Sequence, residues 1–123
     1  MKLKIHTVGK TSIAELISSA VEILEVQDAL DLMGEASALG ARSIVVRKEN
    51  LIPDFFNLRT GIAGEILQKF STYSFRLAIV GDLSKIQSRS LQDFIFESNK
   101  TGRVLFLESF EKAITILAGR QDY

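Results

Sequence analysis

The chain has 123 residues, 46% hydrophobic and 24% charged, with Lys+Arg 15 offset by Asp+Glu 15. This length suits one domain, residues 1–123, able to bury about two-thirds of its unfolded surface without covalent staples. Cys 0 excludes disulfides and thiolate chemistry, His 1 confines any Ser-His-Asp arrangement to His6, and a net charge of +0 gives no electrostatic reason to expect nucleic acid or an anionic membrane.

No apolar run reaches the ~18 residues of a membrane span. The opening Met1-Lys2-Leu3-Lys4 carries no signal-peptide core, so a soluble, cytoplasmic protein is expected. There is one Pro (Pro53) and no repeat or low-complexity tract, which indicates one continuous domain.

Residues 2–8 alternate, with Leu3 and Ile5 on one side and Lys4 and His6 on the other, the period of a half-buried strand. Gly9-Lys10 signals a turn and residues 11–17 a second strand, so the chain opens with a hairpin. His6, beside Lys4 on the outer side, reads as a solvated surface residue. Asp28 is the expected N-cap of the first helix, whose stripe runs Ala29, Leu30, Met33, Ala36 and Leu39 to a left-handed cap at Gly40. Residues 43–46 (Ser-Ile-Val-Val) do not alternate, as a central strand covered on both faces requires.

An irregular stretch, 47–59, carries Pro53 and the anchoring pair Phe55-Phe56. A helix with Ile62, Ala63, Ile66, Leu67 and Phe70 on one face follows it. Residues 75–80 form a second buried strand, stopped by Gly81-Asp82. Ser90 and Asp93 resemble a capping box for a helix containing Leu91, Phe94 and Ile95 and closed by Gly102. Residues 104–107 are the last strand. Ser109 caps the last helix, which buries Phe110, Ala113, Ile114 and Leu117 and ends at Gly119. The fold class is α/β: the order β-β-α-β-α-β-α-β-α predicts a mainly parallel sheet covered by helices, with an antiparallel opening pair.

In open α/β sheets ligands lie beyond the carboxyl ends of the strands. Three loops fall there: 47–60, 81–90 and 107–109. Each runs into a helix N-terminus, whose amides attract anions. In the first loop Asp54, Asn57, Arg59, Thr60 and Gly61 are candidate partner or anion contacts, while Thr60 or Asn57 can equally be the cap of the next helix. In the second, Asp82, Ser88, Arg89 and Ser90 are candidates, although Gly81-Asp82 reads equally as a turn and Lys85, Ser88 and Arg89 lack the pattern of a nucleotide loop. Gly61-x-x-Gly64 reads as close helix–sheet packing. Asp54, Asp82 and Glu49 have no metal-ligand spacing, so no metal or cofactor is expected. Glu65, Asp93 and Glu97 form no evident acid–base pair, and no catalytic residue is assigned.

Thr60-Gly61-Ile62-Ala63-Gly64-Glu65-Ile66-Leu67 resembles the start of the second helix in STAS domains, the family named for sulphate transporters and anti-sigma factor antagonists. In that family an Asp-Ser-Ser-Gly-Leu-Gly stretch follows a strand and opens this helix. The layout is similar over most of the chain, including Arg103-Val104-Leu105-Phe106-Leu107 and the helix after it. The chain also resembles, over nearly its whole length, a small bacterial family catalogued only as a domain of unknown function. That likeness is carried by Asp28-Ala29-Leu30-Asp31-Leu32, Phe55-Phe56-Asn57-Leu58-Arg59-Thr60-Gly61, Gly64-Glu65-Ile66-Leu67-Gln68-Lys69-Phe70, Ala78-Ile79-Val80-Gly81-Asp82 and Asp93-Phe94-Ile95-Phe96-Glu97-Ser98-Asn99.

The STAS resemblance implies a non-catalytic regulatory or protein-interaction domain with a kinase-like ATPase as partner and a phosphorylation switch at Thr60. Where that stretch has Asp and Ser, this chain has Leu58 and Arg59. The alternative is a small-molecule or nucleotide sensor holding an anion on Arg59, Ser88 and Arg89 at the rim. Self-association through exposed apolar residues stands beside both, and an enzyme ranks last for want of a nucleophile–base pair.

Overall fold

A computed structural model describes residues 1–119. The alternating residues Leu3–Val8 (β1) and Thr11–Leu16 (β2) pair as an antiparallel hairpin, turned at Gly9 with a φ of 62° that suits a residue without Cβ. There follow α1 (Val26–Ala38), β3 (Ser43–Arg47), α2 (Ile62–Thr72), β4 (Arg76–Val80), α3 (Arg89–Thr101), β5 (Val104–Leu107) and α4 (Phe110–Gly119). Between β3 and α2 the irregular stretch winds into 3-10 turns at Lys48–Asn50, Pro53–Phe56 and Leu58–Thr60. The expected element order and the mainly parallel sheet are both present.

The sheet order is β1-β2-β3-β4-β5, parallel from β2 onward. Each crossover therefore steps one strand in the same direction. Crossovers of one hand that step one way deliver their helices to one face. Leu32 and Met33 of α1 and Ile66 and Phe70 of α2 pack there on Leu16, Ile44, Leu77 and Ile79, with Phe94 and Ile95 of α3 at the margin. On the opposite face Ile13, Val45, Ala78 and Leu105 lie under Ala113 and Leu117 of α4. Ile44, Val45 and Val46 are all 0% exposed, which explains their lack of alternation. Burying a side chain of this size contributes about 1.5–3 kcal/mol.

The edge strand β5 is closed by α3. Phe106 N donates to Asn99 Oδ1 at 2.7 Å, Asn99 Nδ2 donates to Phe106 O at 3.1 Å, and Ser98 Oγ donates to Val104 O at 2.6 Å. The Asn99 amide thus takes the place of a sixth strand and satisfies groups that would otherwise template further pairing.

Several local expectations need correction. α1 begins at Val26, and Asp28 lies inside its first turn, where its carboxylate accepts from Leu24 N and Glu25 N at 2.9 and 3.2 Å. Leu39 falls past the end of that helix and is exposed, while Leu32 takes the buried position. α3 starts two residues early, because Ser88 Oγ accepts from Leu91 N and makes Ser88 the cap in place of Ser90. The cap of α2 is Gly61, left-handed at φ 79°. A Cβ on Gly64 would meet nothing within 4 Å, so close packing is not its role.

Asn50 is the fully buried polar residue that ties the chain between β2 and α1 to the end of β3. Its Nδ2 donates to Ser18 O and Ala20 O, its Oδ1 accepts from Arg47 N at 2.8 Å, and its carbonyl accepts from Glu22 N and Ile23 N. Asn50→Ala takes their partner from Ser18 O, Ala20 O and Arg47 N, at roughly 1–3 kcal/mol for each group that water does not reach. A loss of about 2 kcal/mol or more in urea unfolding is expected, against under about 0.5 kcal/mol for Gln68→Ala on the exposed face of α2.

Candidate functional site

The carboxyl ends of β3, β4 and β5 open on one rim, as their parallel pairing requires. The first two loops meet there. Lys48 Nζ donates to Asp82 O at 3.3 Å and lies 5.9 Å from the Phe56 ring centroid. A Cβ on Gly81 would come within 2.8 Å of Lys48 Cβ, so this approach requires glycine.

In the first loop Phe55 is buried and stacks edge-on against the half-buried Phe56 at 5.0 Å, anchoring the turn that Pro53 opens. Leu58 also packs against the core. Asn57 Oδ1 accepts from Arg59 N at 3.2 Å and so caps the last 3-10 turn, not α2. Thr60 Oγ1 lies 2.8 Å from Asp54 O and 2.9 Å from Asn57 O, where its single proton can reach either. The same oxygen accepts from Ile62 N at 3.3 Å. Thr60 therefore latches the loop to itself and faces the first amide of α2. The residues Asp54, Asn57, Arg59, Thr60 and Gly61 are all exposed.

In the second loop Asp82 Oδ1 accepts from Ser84 Oγ at 2.6 Å and Ser84 N at 2.9 Å. These two bonds, helped by the Lys48 charge, hold the Asp82 carboxyl below its ordinary range. Ser88 caps α3 and Arg89 and Ser90 are exposed in its first turn. Among the described residues no hydrogen bond or ion pair joins Asp54, Asn57, Arg59 or Thr60 to Asp82, Ser88, Arg89 or Ser90. Glu65, Asp93 and Glu97 are exposed on two helices, and among the described residues no three His or carboxylate groups gather to hold a metal.

Sequence reasoning missed the charged cluster behind the rim. Glu15, 8% exposed, accepts from His6 Nε2 on Oε1 and from Arg47 Nη1 on Oε2, both at 2.7 Å. Phe110, the first residue of α4, roofs it, with its ring centroid 5.1 Å from His6 and 5.4 Å from the Arg47 guanidinium carbon. His6 is therefore half-buried and engaged, not solvated, because Phe110 at the start of α4 packs over it. Burial alone would raise the Glu15 carboxyl, but the hydrogen bonds from His6 and Arg47 and their charges outweigh it and hold the group low. The signal available was Glu15 inside the otherwise apolar run Ile13-Ala14-Glu15-Leu16-Ile17.

A family model described as "Domain of unknown function (DUF4180)" matches residues 8–117. The match spans the rim loops, Glu15, Arg47 and Phe110, and leaves out His6. No curated protein matches the chain.

The Glu15 contacts have a pH signature. A carboxyl whose folded pKa lies below its unfolded value stabilises fully above the ordinary glutamate range, and that contribution is lost as pH falls through the folded value. Glu15→Gln is expected to lower stability by about 2–4 kcal/mol near neutral pH, where it leaves Arg47 half-buried without its carboxylate. The gap between parent and variant, read from urea midpoints, should be widest above about pH 5 and narrow toward pH 3.

Proposed function

The chain belongs to the DUF4180 family of unknown-function domains, and we propose that it is a non-catalytic regulatory domain, STAS-like in layout, which meets a protein partner at residues 53–61 and is switched by phosphorylation of Thr60. The observation that carries this reading is the double engagement of the Thr60 hydroxyl, with the Asp54 and Asn57 carbonyls on one side and Ile62 N on the other. A phosphoryl group replaces the hydroxyl proton with about −1.5 to −2 charges. It removes the donor that latches the loop and sets an anion against two carbonyl oxygens, while the amides at the start of α2 favour it. Modification thus exchanges one loop geometry for another at an exposed position directly ahead of the second helix.

The opening strand pair followed by alternating helices and strands supports the STAS-like reading, as does the place of Thr60. Leu58 stands where the STAS stretch has Asp and serves as a core anchor, so recognition of Thr60 rests on the loop shape and not on a neighbouring carboxylate. A non-catalytic role agrees with the direction of the two displaced carboxyls. Glu15 and Asp82 are both held low, the opposite of a group poised to exchange protons near neutral pH.

Purification of the tagged chain from its own cells, with mass spectrometry of everything retained, tests this. A protein partner of ATPase or regulatory type is expected in stoichiometric amount with the parent and with Thr60→Ser, which keeps the hydroxyl, and is lost with Thr60→Glu. Recovery of the bare chain without phosphate at Thr60, or equal retention of the partner by Thr60→Glu, overturns the switch.

A further inference from the structure

On the crowded face, at the amino end of the sheet, a pocket of about 310 Å³ opens where α1 and α2 finish. Leu30, Met33 and Gly34 line it from α1, Tyr73 and Phe75 from the turn between α2 and β4, and Arg42 from the residue before β3. Met33 and Phe75 are buried and Leu30 is half-buried, so the interior of the pocket is apolar. Its volume falls at the small end of the range of about 300–1,000 Å³ that small-molecule sites occupy.

Two features of this pocket go beyond what the fold requires. The first is Gly34, in the middle of the thirteen-residue α1. Glycine is the poorest residue for a helix interior apart from proline. Its φ is not positive, and a Cβ on it would meet nothing within 4 Å, so neither backbone geometry nor crowding calls for glycine there. The effect of the missing side chain is to leave the pocket open. The second feature is the way Arg42 is held. Its guanidinium carbon stacks 4.4 Å above the Phe75 ring, and its Nη2 donates to Tyr73 O at 2.6 Å. That bond takes one of the five N–H donors of the group and fixes its plane at the pocket.

We propose that this pocket binds a small monocarboxylate with an apolar tail, its carboxylate on the Arg42 guanidinium and its tail against Met33 and Leu30 in the space that Gly34 leaves. A planar guanidinium fork matches a carboxylate, and the apolar interior takes the hydrocarbon. The carbonyl ends of α1 and α2 lie close by, so one negative charge set against Arg42 suits the site better than two. The pocket is at the far end of the sheet from Thr60 and does not depend on the regulatory reading.

The chain has two methionines, Met1 and Met33, so the Met33 methyl group is a resolved reporter inside the pocket. Nuclear magnetic resonance of the full chain labelled with ¹³C at the methionine methyls, titrated near neutral pH with octanoate, octanamide and acetate, tests the site. Octanoate is expected to shift the Met33 signal to saturation. Octanamide, which lacks the charge, and acetate, which lacks the tail, are each expected to bind at least about tenfold more weakly. Gly34→Leu is expected to abolish the shift by filling the pocket, while its urea midpoint stays at or above that of the parent because leucine is the better helix former. Arg42→Gln is expected to weaken octanoate about tenfold, and Arg59→Gln at the rim should leave the titration unchanged. Absence of a saturable Met33 shift at millimolar octanoate overturns the site, as does octanoate binding that survives in folded Gly34→Leu. Equal affinity for octanoate and octanamide overturns the carboxylate, and equal affinity for octanoate and acetate overturns the apolar tail.

Discussion

The arrangement depends on one constraint: from β2 to β5 the sheet grows one strand at a time in one direction. Parallel neighbours joined by same-handed crossovers can then place α1, α2 and α3 only on one face. Among the described residues, α4 alone covers the other face. That helix is ten residues long, about 15 Å, and it crosses a sheet whose five strands span roughly 19 Å. It shields the middle of the face and leaves charge at both ends. Phe110 at its start roofs Glu15 and Arg47, and Ile116 and Leu117 at its finish lie beside Arg42, Arg76 and Arg103 at the amino end of the sheet.

Polar side chains hold the remaining irregular parts of the chain. Asn50 joins the stretch after β2 to the end of β3, and Asn99 completes the hydrogen bonding of β5. Glu15 links His6 of β1 to Arg47 of β3. Asn50 and Glu15 are buried, and a slipped register would leave them unpaired in a low-dielectric setting. They select among packings that the apolar residues alone would tolerate.

The two ends of the sheet differ in electrostatic character for the same topological reason. Helix N-termini gather at the carboxyl end, where the exposed amide near Thr60 favours added negative charge. Helix C-termini gather at the amino end, where their carbonyls would repel an anion. Arg42, Arg76 and Arg103 donate to the carbonyls of Tyr73, Gly102 and Phe75 there.

Fold class, element order and the two-sided burial of β3 were legible in the sequence because periodicity and β-branched runs report burial directly. The rim and the anchoring of its loop by Phe55 were legible for the same reason. The start of α4 was legible, with Ser109 as its cap, but those of α1 and α3 were not: Asp28 and Ser90 are good caps by type, and neighbouring residues compete for that role. The candidate residues of the rim were identifiable by type, whereas the latch on Thr60 depends on how three short turns fold back. His6, Glu15, Arg47 and Phe110 are far apart in the chain, as are Arg42, Arg76 and Arg103. Local sequence determined that this is a helix-covered, mainly parallel sheet. The strand order, which no local pattern encodes, decided which distant charges meet, because only tertiary packing brings equivalent ends of separate strands to one edge.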